Sequence, residues 1–369
     1  MHELPNLRVP GPTPVPPDVL EAVGRPMINH RGRHFAELTQ RVAPRLKEFF
    51  QTKSEVLILS TSGTGGMEAA VVNTLSPGDK VLAVSIGAFG DRFAAIAGTY
   101  GAEVVRLNYE WGQAAEPEDI RRALAQDPAI KAALVTHNET STGITNPLKE
   151  IAQVVREADR LLLVDAISSL GAIPVETDGW GLDVVVTGSQ KGWMVPPGLV
   201  FISMSERAWK ANESAKMPRF YFDLARHRDI LPRGQTPWTP TVSVIFGLDV
   251  SLARMAAEGL ERIWERHACV GQMTRDGVKA LGLELLCDDG RFASNTVTAV
   301  KCPQGVEVAA LRRLLEDEYD LVVAGGQGKL SGKIFRIGHL GLVDEDDIRH
   351  ALEALGKALP RVGYTPASL

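Results

Sequence analysis

The sequence predicts an α/β chain: a large domain around a mainly parallel seven-stranded sheet, then a smaller C-terminal α+β domain. Three observations carry this reading. Seven short β-rich runs recur between Val56 and Ser203, each separated from the next by a stretch of helical or turn character. The runs are apolar on both faces, as strands covered by helices on either side must be. Beyond a long amphipathic segment the pattern changes to a few strands interleaved with two helices.

Taken in order, Val9-Pro10-Gly11-Pro12-Thr13-Pro14-Val15-Pro16-Pro17 excludes helix and interior strand, because proline fixes φ and removes a donor. Residues 1–16 therefore read as an extended arm packed on something else. An amphipathic helix follows from about Ala36 to Phe50. The seven strands are Val56–Ser60, Lys80–Ser85, Glu103–Leu107, Ala132–Thr136, Leu161–Asp165, Asp183–Thr187 and Leu199–Ser203. The clearest helices between them are Gly65–Leu75, Asp91–Tyr100, Glu116–Ala125 and Pro147–Ala158. The stretch Arg219–Pro240 is irregular, rich in aromatic and basic residues. One long helix is expected from Val242 to His267, with apolar spacing through Leu248, Leu252, Met255 and Leu260. It links a large domain, residues 17–250, to a small one, residues 251–369. The small domain holds strands Thr296–Val300, near Leu321–Val323 and Lys333–Ile337, with helices Val306–Glu316 and Asp344–Leu359.

Composition narrows the function classes. The 369 residues are 44% hydrophobic and 23% charged, ordinary for a globular enzyme. A net charge of −5 leaves no basic footprint for nucleic acid. Apolar runs such as Leu161–Val164 are far too short to cross a bilayer. Met1-His2-Glu3-Leu4-Pro5 shows no basic segment followed by an apolar one, so no secretion signal is expected. Cys269, Cys287 and Cys302 lack any Cys-x-x-Cys spacing, which argues against a disulfide framework or zinc site and fits a reducing cytoplasm.

Parallel sheets bind ligands at the carboxyl ends of their strands, so chemistry is expected there. Strand Asp183–Thr187 delivers Ser189-Gln190-Lys191 into a loop. A lysine there is open to desolvation and to use as an imine-forming nucleophile, although alone it reads equally as a solvated surface residue. Asp165 ends a wholly apolar strand, where a buried carboxylate needs a partner or caps a helix. Ser60-Thr61-Ser62-Gly63-Thr64-Gly65-Gly66 joins strand to helix as a phosphate cradle or a plain tight turn. Phe89 is a ring stacker or a core aromatic. His137-Asn138-Glu139-Thr140-Ser141-Thr142-Gly143 is a polar loop after its strand. Arg336, inside the apolar Phe335-Arg336-Ile337, takes either a substrate carboxylate or an internal ion pair with Asp344 or Glu345. Singly these are ambiguous; five converging strand ends supplying cradle, stacker, polar loop, acid and lysine are not.

With those residues in view, the sequence resembles the class V aminotransferases of the fold-type I pyridoxal-phosphate (PLP) enzymes, most closely the alanine/serine–glyoxylate branch. The similarity runs from Pro10-Gly11-Pro12 to Arg336-Ile337-Gly338. It implies the PLP-dependent transferase fold, a homodimer with active sites at its interface, and ping-pong transfer from serine or alanine to glyoxylate or pyruvate. Lys191 would carry the cofactor and move the proton; Asp165 would pair with the pyridine nitrogen. Thr64, Gly65, Gly66 and Gln190 match phosphate positions. Phe89, Thr140 and Ile167 match ring-contacting positions, and Arg336 matches the residue that holds the substrate carboxylate. Gly11 and His30 are further substrate-side candidates. Thr239 and Gln235 would reach the phosphate from the partner subunit.

The resemblance has departures. Gly66 stands where some relatives carry histidine, and Thr236 where some carry tyrosine. Asn29-His30-Arg31-Gly32-Arg33 is cation-rich and is read as lining the entrance. Ureidoglycine or aspartate donors would suit the same motifs. Cysteine desulfuration would need a cysteine in Ala324-Gly325-Gly326-Gln327-Gly328-Lys329-Leu330-Ser331-Gly332, and there is none. A catalytically silent subunit would have no reason to keep Lys191, Asp165 and Arg336 together.

Overall fold

The computed structural model describes residues 6–364, so the reading of Met1–Pro5 lies outside the described residues. The seven expected strands form one sheet in the spatial order Val56–Leu59, Val200–Met204, Val184–Gly188, Leu161–Asp165, Ile130–Thr136, Lys80–Ser85, Glu103–Asn108. Four neighbouring pairs run parallel; only Val200–Met204 is antiparallel to both of its partners. That single reversal makes the sheet mainly parallel. The four central parallel strands point their carboxyl ends to one rim.

Both faces are covered. The Gly63–Thr74, Ala88–Thr99 and Glu206–Ser214 helices pack on one side through Met67, Val71, Phe93 and Ala208. The Arg33–Phe50, Leu148–Glu157 and Val242–Glu258 helices pack on the other through Leu46, Ile151 and Leu248. Gly63–Thr74 is apolar nearly all round and accordingly buried nearly all round. A second sheet orders Asn6–Arg8, Leu321–Gly325, Ile334–Gly338 and Val297–Lys301. The N-terminal arm is thus extended as expected, and its first described residues pair in parallel with Leu321–Val323.

The expected helix from Val242 to His267 is two helices, Val242–Glu258 and Leu260–Ala280. They break at Gly259, whose φ of +90° lies where a side chain is strained. The apolar spacing continues through the break into Leu260, so periodicity alone could not reveal it. The irregular stretch also contains the short helix Leu224–Ile230. Among the described residues no helix is long and apolar enough to cross a membrane.

The loop that carries Lys191 is anchored by the next residue but one. Trp193 is fully buried, its ring edge-on to Phe49 and Phe201 and stacked on Phe50, and its indole N–H donates to the Thr187 hydroxyl at 3.0 Å. Trp193→Ala removes this packing and should cost roughly 3–5 kcal/mol in urea unfolding. A loss under about 1 kcal/mol would show that the loop is held by something else.

Candidate active site

Asp165 and Lys191 come from neighbouring strands at the same rim of the sheet. Asp165 is the last residue of Leu161–Asp165, 3% exposed. Its carboxylate accepts from the Ile167 N–H at 2.9 Å and from the Thr136 hydroxyl at 3.3 Å, so it starts a turn rather than capping a helix. No cation pairs with it among the described residues. Burial pushes its pKa up to about 7, against the pull of the Ile167 hydrogen bond, and the Glu139 charge adds to the rise.

Lys191 is buried rather than solvated. Its Nζ donates to the Pro10 carbonyl of the N-terminal arm. Burial, then the nearby Arg336 charge, brings its pKa down to about 8. The loop is fixed by the Ser189 hydroxyl donating to Pro196 O at 2.8 Å and by Met194 N–H on Lys191 O at 3.1 Å. Gly11 packs so closely that a Cβ there would lie 2.5 Å from Nζ, and its φ is +121°. Gly11 therefore belongs to the wall around the amine, which only glycine fits.

The polar loop folds into a two-stranded hairpin, Asn138–Glu139 with Ile144–Thr145. Glu139 is fully buried and accepts from the Phe89 and Gly90 N–H groups at 3.0 and 3.1 Å, from Ser141 N–H at 3.1 Å and from the Ser141 hydroxyl at 2.6 Å. It thereby caps the helix that presents Phe89. The sequence marked this glutamate only as part of a loop; its burial is a tertiary fact. Thr140 donates its hydroxyl to Ser168 Oγ at 2.9 Å, and Ser168, which sequence reasoning missed, donates to Asn138 O at 2.9 Å.

Arg336 is buried in strand Ile334–Gly338 with no ion pair among the described residues. Its Nε donates to Gly325 O and its Nη1 to Thr140 O, both at 2.9 Å, which leaves Nη2 without a partner among the described residues. Asp344, one of the expected partners, instead forms a capping box with Asp347 on the Glu345–Ala358 helix. Desolvation lowers the Arg336 pKa to about 10.

The Gly63–Thr74 helix starts at the same rim. Gly66 N–H is already spent on Ser62 O at 3.1 Å, and a Cβ at Gly66 would lie 2.6 Å from both Val186 Cγ1 and Val200 Cγ1. Gly66 thus lets the helix approach the sheet, and its own N–H is already bonded inside the helix. The N–H groups of Gly63, Thr64 and Gly65 precede it and have no helical acceptor. Ile167 lies against Gly63, and Gln190 Oε1 is buried without a partner. Phe89 is half-buried beside them, with the Arg92 guanidinium 4.7 Å from its ring centre.

The loop of cations is largely committed elsewhere. Arg31 donates to Pro237 O at 2.9 Å and to Gln235 Oε1 at 3.4 Å, and Gln235 Nε2 returns a bond to Arg31 O at 3.1 Å. Arg33 pairs with Glu37 on the surface. His30 is half-buried and Thr239 is exposed. Arg31 is thus a strut to the Gln235–Pro237 segment, and Gln235 is engaged within its own subunit.

A buried lysine of lowered pKa, beside a buried acid and an arginine with no ionic partner among the described residues, is an arrangement able to condense an amine with a carbonyl. Residues 7–335 match the family described as aminotransferase class-V, and the chain belongs to that family. It is 46% identical, over 99% of this chain and 95% of that one, to a protein of Synechococcus sp. (strain PCC 6716) named soluble hydrogenase, small subunit. It is 38% identical to the serine–glyoxylate aminotransferase of Methylorubrum extorquens, over 98% of this chain and 93% of that one. The crystal structure of pyridoxamine–pyruvate aminotransferase from Mesorhizobium loti superposes with a TM-score of 0.95 at 32% identity, covering 99% of this chain and 95% of that one. The chain is accordingly a PLP-dependent aminotransferase of fold type I. Its own residues fit that cofactor: an acid held without a cation, an amine without a carboxylate, an orphaned Gln190 oxygen and a helix start with free N–H groups.

Without cofactor, the folded state holds the Asp165 proton more tightly than the unfolded chain does. Stability is therefore lost as pH rises from about 4 to about 7. Asp165→Asn should flatten that loss, by up to ~1.4 kcal/mol per pH unit, in urea unfolding of cofactor-free protein. Identical pH profiles in the two proteins would contradict a buried, proton-holding Asp165.

Proposed function

We propose that this chain transfers an amino group from a small amino acid, serine or alanine, to glyoxylate or pyruvate, as a homodimer with its sites at the interface. The observation that carries it is that Lys191, Asp165 and Arg336 are buried close together, and that among the described residues neither the acid nor the arginine has an ionic partner. The serine–glyoxylate relative supports the choice of donor and acceptor. PLP, when bound, supplies a carbonyl for the amine and a ring that withdraws electrons from the substrate's α-carbon.

In this reading Lys191 Nζ, with its pKa near 8, is neutral often enough at neutral pH to act as nucleophile. The same Nζ would take the substrate's α-proton and later return it. Asp165 would hold the ring nitrogen of PLP, which would give its buried carboxylate a positive partner. Thr64, Gly65 and Gln190 hold the phosphate, with Thr239 of the partner added across the interface. Gln235 is a weaker candidate for that reach, since Arg31 already holds it. Phe89, Thr140 and Ile167 would contact the ring. Nη2 of Arg336 takes the substrate carboxylate. The two domains, divided near residue 250, meet here: one brings Lys191 and Asp165, the other Arg336. The three free cysteines suit a reducing cytoplasm.

The hydrogenase name describes the Synechococcus protein. Among the described residues of this chain no three His, Cys, Asp or Glu side chains gather as a metal site. Its chemistry-bearing residues are those of transamination.

The purified protein should show the absorbance band of a lysine-bound cofactor. Serine or alanine should bleach it and glyoxylate or pyruvate should restore it. No band with added PLP, or a Lys191→Ala variant that behaves identically, sinks the reading; a response to aspartate or ureidoglycine alone moves the donor elsewhere. Arg336→Gln should raise the KM for every amino donor by roughly 100-fold, because each lost charge-assisted bond to the carboxylate costs about 1.5–3 kcal/mol. A KM within about twofold of the unmodified enzyme would remove Arg336 from the carboxylate site.

A further inference from the structure

The residues assigned above to the phosphate share a physical shortcoming. Gly65, Thr64 and Gln190 offer N–H, hydroxyl and amide groups, and Thr239 of the partner another hydroxyl, yet none carries a charge. Lys191, the nearest assigned cation, is turned to Pro10 O. A phosphate carries close to two negative charges near neutral pH and is bound most strongly where a guanidinium meets it.

One guanidinium does lie at this place. Arg92 sits one turn beyond Phe89 on the Ala88–Thr99 helix. Its chain position leaves it free to extend into water, yet its Cζ lies 4.7 Å from the Phe89 ring centre and its Nη1 donates to Thr64 Oγ1 at 3.2 Å. It pairs with no carboxylate among the described residues. Asp91, its chain neighbour, is taken by the Ser85 hydroxyl at 2.8 Å and by Arg106 at 3.7 Å. Glu139, which caps the same helix, is saturated by Phe89, Gly90 and Ser141. The Arg92 charge is felt in the site, since it contributes to the lowered pKa of Lys191.

We propose that Arg92 is the cation of the phosphate site, held in place by the Phe89 ring and the Thr64 hydroxyl beside the free N–H groups that open the Gly63–Thr74 helix. This rests on the PLP reading above and deepens it. Phe89 then has two roles: it faces the cofactor ring and fixes the cation on its own helix. The Thr64 hydroxyl, which accepts from Arg92, keeps its own proton to donate to a phosphate oxygen.

The test compares PLP with pyridoxal, which has the same ring and aldehyde but no phosphate. Each is titrated into the protein freed of cofactor, followed by the absorbance of the lysine-bound band and by tryptophan quenching. Arg92→Gln should raise the dissociation constant of PLP about tenfold or more at low ionic strength and leave that of pyridoxal within about twofold. Arg92→Lys should recover part of the loss, and Arg122→Gln, a surface change of equal charge, should leave both dissociation constants within about twofold. Inorganic phosphate should compete with PLP for the unmodified protein, and compete more weakly for Arg92→Gln. Equal weakening of PLP and pyridoxal would make Arg92 a support for Phe89 only and overturn the assignment, as would no weakening of either. Failure of the unmodified protein to take up PLP at all ends the cofactor reading, and this one with it.

Discussion

A carboxyl group and an amine are buried at neighbouring strand ends without neutralising each other, and the rest of the structure follows from holding them so. Asp165 has only an N–H and a hydroxyl for company, and Lys191 only a backbone carbonyl. In water both would be fully charged at neutral pH. Here burial moves the acid up to about 7 and the amine down to about 8, so their protonation states lie close together. Such a pair is costly to fold and useful only if a ligand later completes it.

Holding the pair takes elements far apart in sequence. The N-terminal arm threads between the Lys191 loop and the small sheet. Thr13 donates its N–H to Gln190 O at 3.1 Å and its hydroxyl to Lys191 O at 3.0 Å. On the other side Gly341, at φ +75°, fits against Lys191 O and Met194 where a larger residue would press on both. Gly341 N–H donates to His267 Nε2 at 3.0 Å. His267 Nδ1 lies 2.7 Å from Ile263 O, which can only accept, so the ring is neutral with its proton on Nδ1. Burial holds the His267 pKa near 3, which keeps this arrangement intact through neutral pH. Arg266 ties the same turn through Gly341 O and Val343 O, both at 3.0 Å.

The large sheet was legible because two-side-buried strands leave an unmistakable apolar run, and all seven runs fell within a residue or two of their strands. Helix ends were less so. The break at Gly259 is set by one positive φ inside a periodic pattern, and the helix Glu206–Ser214 announces itself only by the Ser205 cap on Ala208 N–H. Within the site, residue types showed where chemistry sits but not which atoms remain free. Gly66 read as a phosphate contact from its glycine-rich setting, yet the sheet behind it explains the missing side chain. Arg31 and Arg33 read as an entrance charge, yet both are bonded within the subunit. Arg92 drew no notice, because an arginine on an exposed helix carries no local signal; only its contact with Thr64 gives it one.

The same limit bears on substrate choice. Arg336 is oriented by two carbonyls from different parts of the fold, Gly325 O beside it in the small sheet and Thr140 O in the loop of the large one. Arg336 thereby joins the small sheet to the loop of the large one, and in the proposed reading the same guanidinium meets the substrate carboxylate. Every α-amino acid brings that carboxylate, so this interaction positions a substrate without selecting among side chains. Selection must fall to groups that meet the donor beyond its α-carbon. In the Asn29–Arg33 loop, Arg31 is bonded to Pro237 O and Arg33 to Glu37. The carboxylate site that every α-amino acid shares therefore fixes orientation, and discrimination between donors has to come from contacts made only by their side chains.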